Sequence, residues 1–171
     1  LTLLVLCLAC PWSAPPPSID EVARINVYAD VDRVTAGSRF HIVIDMEVMK
    51  GWHTYWRNPG TMGMGPCLDL QLPDSYESAA MRYPRPRRIE KADMVTYGYE
   101  GAVLFFVPVQ APGTINAAAI EIRADFTFLV CRESCLIGSH QVTVTIPATA
   151  GESGVMSPAR RARIEDHRKQ L

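Results

Sequence analysis

Ile120, Ile122, Ala124, Phe126, Phe128 and Val130 occupy alternate positions of one stretch. Successive side chains of a β-strand point to opposite faces, so such a run makes a half-buried strand. It leads directly into Cys131-Arg132-Glu133-Ser134-Cys135. On a continuous strand, residues four apart share a face but lie ~13 Å apart at ~3.3 Å per residue. A disulfide needs Cα atoms ~4.4–6.8 Å apart. If these two cysteines bond, the chain turns between them, and the polar Arg132-Glu133-Ser134 can make that turn. Half of a metal site and a coincidental spacing are the alternatives. The stretch 126–138 therefore predicts a strand that presents a small dithiol loop at its end.

The rest of the chain repeats the strand pattern. Ile25, Val27 and Ala29 alternate over 24–30. Phe40, Ile42, Ile44, Met46 and Val48 face one way over 39–48, with His41, Asp45 and Glu47 facing the other. An aromatic strand follows at 52–56, ended by Asn58-Pro59-Gly60. Leu68, Leu70 and Leu72 form another, and 140–146 closes the domain. Residues 102–109 are continuously apolar, as expected of a central strand. The stretch 83–86 contains two prolines and reads as extended. At least seven short strands with Gly/Pro turns between them predict an all-β chain folded as an antiparallel β-sandwich. Ser157-Pro158 then starts a helix. Residues 159–170 are charged nearly all round, which predicts a solvated helix or a linker.

The chain has 171 residues, enough for one domain with a real core. A net charge of −1 leaves no basic surplus, so nucleic acid is not expected as a partner. The apolar run 1–9 followed by Ser13-Ala14 reads as the end of a secretory signal, cleaved near Ala14. Export means an oxidising compartment, where disulfides persist. Cys7 and Cys10 would leave with the signal, so Cys67, Cys131 and Cys135 remain and one thiol is left over. The expected boundaries are a signal remnant and Pro-rich leader at 1–17, a sandwich domain at 18–148, and a linker or helix at 149–171 leading toward a downstream region.

Few other stretches carry chemistry. Met62-x-Met64-x-x-Cys67 offers soft donors that would suit Cu(I), although the same residues also read as a Gly-rich loop with an incidental thiol. Parity separates Trp52 and Trp56, expected in the core, from His53 and Tyr55 on the opposite face. The isolated His41, His140 and His167 read as surface residues. No triad, paired-acid site or phosphate-cradling loop is evident, and no cofactor is called for.

Three stretches, in order, carry a resemblance: GWHTYWRNPG at 51–60, VTYGYEGAVLFFVPV at 95–109 and FLVCRESCLIG at 128–138. Over roughly residues 20–147 the chain resembles the N-terminal periplasmic domain of DsbD-type thiol:disulfide interchange proteins, including the variants linked to copper tolerance. The resemblance implies an immunoglobulin-like sandwich in the periplasm with Cys131 and Cys135 as a redox-active pair. It implies His53 and Tyr55 beside that pair, and Thr96 and Tyr97 in a loop at 95–98 that caps it. It also implies that Cys135 bonds the partner and Cys131 resolves the mixed disulfide. The implied partners are periplasmic thioredoxin-fold proteins and a membrane-embedded electron donor domain, on this or another chain. The chain departs from the family in the Met62, Met64, Cys67 loop, and no counterpart of the membrane or C-terminal thioredoxin-like domains is present. A non-enzymatic periplasmic binding module, such as a copper carrier or adaptor held by a structural disulfide, is the competing class.

Overall fold

The computed structural model describes residues 17–91, 94–148 and 156–171. The export signal and the expected cleavage near Ala14 lie outside the described residues. The described residues open with a single helical turn, α1 (Ile19–Val22), where the Ser18 backbone N–H donates to the Glu21 carboxylate at 2.7 Å. Ten strands follow among the described residues: β1 (Ala23–Ala29), β2 (Arg39–Val48), β3 (His53–Gly60), β4 (Cys67–Gln71), β5 (Glu77–Ser78), β6 (Arg87–Lys91), β7 (Met94–Glu100), β8 (Ala102–Gln110), β9 (Ala119–Cys131) and β10 (Cys135–Pro147). A last helix, α2 (Pro158–Arg168), ends the chain.

The strands form two antiparallel sheets, ordered β1-β2-β8-β5 and β10-β9-β3-β7-β6. β4 pairs with β9 beyond the end of β3, so the two share one edge of that strand. This is the immunoglobulin-like sandwich the sequence led us to expect. Its core lies between the sheets and follows the alternation. Phe40, Ile42, Ile44 and Met46 from β2 meet Ile120, Ile122, Phe126, Phe128 and Val130 from β9, and all are at most 3% exposed. Each such side chain contributes ~1.5–3 kcal/mol by leaving water.

Two expectations need correction. The stretch at 95–98 is not a loop but lies inside β7, paired with β6 from Arg87↔Gly98 to Lys91↔Met94. β6 and β7 carry little apolar alternation, because β6 is an edge strand facing water on one side. The C-terminal helix, in turn, is not simply solvated. The continuous apolar run of β8 puts Leu104 and Phe106 on the outer face of the four-stranded sheet, beside Val43 and Tyr28. Met156 and Ile164 cover them, which is why a helix with one buried residue docks there.

Its charged residues find partners on that face. Arg163 bonds Asp45 at 2.6 Å, Arg168 bonds Asp30, and Arg160 lies 4.2 Å over the Tyr28 ring. Burial and the neighbouring Asp45 push the Tyr28 phenol up to about 12. His41 is drawn into the same contact rather than left at the surface, with Nδ1 2.8 Å from Asp30. Burial opposes ionisation of Asp30, but hydrogen bonds from His41 and the charge of Arg168 hold its carboxyl below the usual range.

Candidate functional site

β9 and β10 run antiparallel in unbroken register from Ala119↔Pro147 to Cys131↔Cys135. The three residues between the cysteines close the turn, with the Arg132 N–H donating to the Ser134 carbonyl at 3.0 Å. The turn therefore delivers the two cysteines directly opposite one another. Their Cα atoms are 4.1 Å apart and the sulfurs are bonded.

Directly opposed residues share a face of the sheet. The pair Leu136↔Val130 points into the core, since Val130 is fully buried and Leu136 packs against it. The disulfide is one residue out of phase and so lies on the outer face, away from the sandwich interior. The two sulfurs are not equivalent there. Cys131 is in an inner strand, flanked by Cys135 on β10 and by His53 on β3, and is 4% exposed. Cys135 is on β10, the edge strand of the sheet, and is exposed.

His53 and Tyr55 meet beside the pair. The imidazole Nε2 is 3.3 Å from the Tyr55 hydroxyl, and the rings pack edge to face at 5.1 Å. Gly63 lies against the Tyr55 ring so closely that a Cβ there would come within 2.2 Å of it. The loop carrying Met62 and Met64 thus covers Tyr55, while both methionine side chains stay exposed. Cys67 is a free, exposed thiol at the start of β4, opposite Thr127. Among the described residues no group of three or more His, Cys, Asp or Glu is arranged to hold a metal.

Thr96 and Tyr97 make their resolved polar and ring contacts elsewhere. The Thr96 hydroxyl donates to the Ile89 carbonyl at 3.4 Å, and the Tyr97 ring stands edge-on to Trp56. The hairpin instead reaches the dithiol turn through Lys91, whose ammonium donates to the Arg132 carbonyl at 2.5 Å. No sequence signal marks Lys91, because the two residues are 41 apart and the contact exists only once the sheets are built. The Arg132 guanidinium turns back over Trp52, 5.4 Å from the ring.

Burial, then the charge of Lys91, lowers the His53 pKa, and Glu100 opposes them. The unfolded imidazole takes up its proton near the ordinary value, about 6.5, while the folded one resists it. Between those two values the unfolded chain binds more protons, so this residue's contribution to stability falls as pH drops below about 6.5. The melting-temperature advantage of wild type over His53→Gln is therefore expected to be larger at about pH 7.5 than at about pH 5. A difference independent of pH would contradict this account of His53. The charged groups around the turn are Lys91, bonded to the Arg132 carbonyl, with Arg132 and Glu133 in the turn itself. The two cations would favour a thiolate on the reduced pair and Glu133 would oppose it.

The family model described as "Thiol:disulfide interchange protein DsbD, N-terminal" matches residues 25–147. Among solved structures, the chain is similar to the N-terminal periplasmic domain of ScsB from Proteus mirabilis, with a TM-score of 0.63 at 16% identity. That match covers 91% of this chain and 57% of the other, so the chain spans little more than half of that structure. A second match is the N-terminal domain of Neisseria meningitidis DsbD in the reduced form, with a TM-score of 0.49 at 9% identity, covering 80% of this chain and 94% of that one. No curated protein matches the chain.

Proposed function

The chain belongs to the family of DsbD N-terminal thiol:disulfide interchange domains, and from that premise we propose that it carries two electrons at a time through Cys131 and Cys135 to thioredoxin-fold proteins of the periplasm. The disulfide form is the spent state. A membrane-embedded donor, on the same or another chain, recharges it to the dithiol.

Transfer then proceeds in two displacements. The Cys135 thiolate attacks one sulfur of the partner's disulfide. The partner's S–S bond breaks, its second sulfur leaves as a thiolate and takes a proton, and a mixed disulfide joins Cys135 to the partner. The Cys131 thiolate next attacks the Cys135 sulfur. That step forms the intramolecular bridge and releases the partner's first sulfur as a thiol. Two electrons and two protons pass to the partner.

The observation that carries this reading is the asymmetry across the bridge. The exposed sulfur is on an edge strand, and the buried one is beside it on an inner strand. An outside protein can reach Cys135, and only Cys131 is then in place to resolve the bond. A structural staple is the weaker account. A bridge closing a turn of three residues between paired strands removes little entropy from the unfolded chain.

The test is direct. The oxidised protein is incubated with a reduced thioredoxin, quenched in acid and labelled with a maleimide polymer. The expected result is two newly labelled thiols at Cys131 and Cys135. A pair that neither thioredoxin nor dithiothreitol can reduce would return the domain to the class of binding modules.

A further inference from the structure

The outer face of β10 reads Cys135, Ile137, Ser139, Gln141, Thr143, Thr145, Pro147. Between the cysteine and the closing proline it is polar at every position but Ile137. Ile137 is 72% exposed, the highest value among the exposed large apolar side chains of the described residues. A single exposed isoleucine ordinarily needs no explanation. This one is set apart by its place. It is two residues from Cys135 on the same face, hence ~6.6 Å along the strand. Across the ladder it is opposite the half-buried Leu129, which extends the apolar spot to β9 on the face that carries the bridge.

A partner sulfur bonded to Cys135 lies ~2 Å from it. Any folded protein that reaches that distance has to press its surface onto the residues flanking Cys135, and Ile137 is the nearest exposed large apolar side chain on the edge strand, since Leu136 packs against the core. We propose that Ile137, backed by Leu129, is the docking anchor for the partner, seating the apolar surface that surrounds the partner's reactive cysteine. The inference rests on the exchange reading above and deepens it. It makes exchange at the pair selective for proteins that present their reactive sulfurs on an apolar surface over small thiols and small disulfides, which gain nothing from the anchor.

The bland account is that Ile137 merely suits a β-strand, as β-branched residues do. Ile137→Thr separates the two, because threonine keeps the branched side chain and strand preference but loses apolar area. Ile137→Lys removes the apolar contact more completely. Reduction of the oxidised domain is followed with two probes, a reduced thioredoxin and dithiothreitol. Both variants are expected to react with thioredoxin about tenfold more slowly than wild type, with Lys slower than Thr. Their rates with dithiothreitol should stay within about twofold of wild type.

Unchanged thioredoxin rates overturn the anchor. So does an equal loss with both probes, since that would mean Ile137 acts on the dithiol itself. A wild-type protein that dithiothreitol reduces but thioredoxin does not also overturns it, while leaving the pair redox-active. Only a wild-type pair inert to both probes defeats the exchange reading as well.

Discussion

Gly98→Ala is expected to destabilise the domain by about 2–3 kcal/mol and to lower its melting temperature by roughly 5–10 °C. Gly98 is opposite Tyr55 where β7 meets β3. A Cβ there would lie 2.0 Å from the Thr54 carbonyl oxygen and 3.2 Å from the Tyr55 Cα. Both neighbours are backbone, so no side-chain rotation relieves the clash and the strands have to separate. Thr54 is fully buried and its hydroxyl donates to the Leu129 carbonyl at 3.0 Å, tying β3 to β9 next to the bridge. Gly113 serves as the control, because a Cβ there meets nothing within 4 Å. Gly113→Ala should change stability by less than about 0.5 kcal/mol. Equal melting temperatures for the two variants would contradict the packing described at Gly98.

Much of this architecture is legible in the residues, and the exceptions have physical causes. The alternation at 120–130 and 39–48 marks the two inner faces, because burial on one side of a strand leaves a period of two. The unbroken apolar run at 102–109 also says that both faces of β8 are covered. It does not say by what. The cover is α2 together with Met156 just before its cap: the apolar contribution is little more than Met156 and Ile164, and the helix's arginines lean on Asp30, Asp45 and Tyr28. A helix charged nearly all round hides its docking face from any periodicity argument. β6, with Ile89 as its one apolar residue, is silent for the same reason.

At the site, the spacing of Cys131 and Cys135 required a turn if the two bond, and the bonded pair closes such a turn. Parity separated His53 and Tyr55 from Trp52, and the structure brings the first two together beside the bridge. Lys91 and Ile137 had no local signature. Lys91 acts across 41 residues of sequence, and Ile137 becomes conspicuous only when its face is known to be the outer one. Thr96 and Tyr97 entered through the family resemblance. Their resolved contacts are with Ile89 and Trp56.

The second large effect falls on the cysteines themselves. Cys135→Ser is expected to reduce exchange with a thioredoxin-fold partner by about a thousandfold or more, to background, because it removes the accessible nucleophile. Cys131→Ser should also stop turnover, but at a different point. Its Cys135 thiolate still attacks the partner, and the mixed disulfide is left without its internal resolving thiol. Folding should survive both changes, since the bridge spans strands already joined by a ladder of backbone hydrogen bonds.

The most direct measurement is therefore a trapping experiment. Each reduced single-cysteine variant of the pair is mixed with an oxidised thioredoxin-fold protein. The products are separated without reductant, and the linked peptides are identified by mass spectrometry. The account predicts a covalent complex for Cys131→Ser, joined through Cys135, and none for Cys135→Ser. A complex that accumulates instead through Cys131 would reverse the two roles. Two variants that trap nothing and keep full activity would show the bridge to be structural.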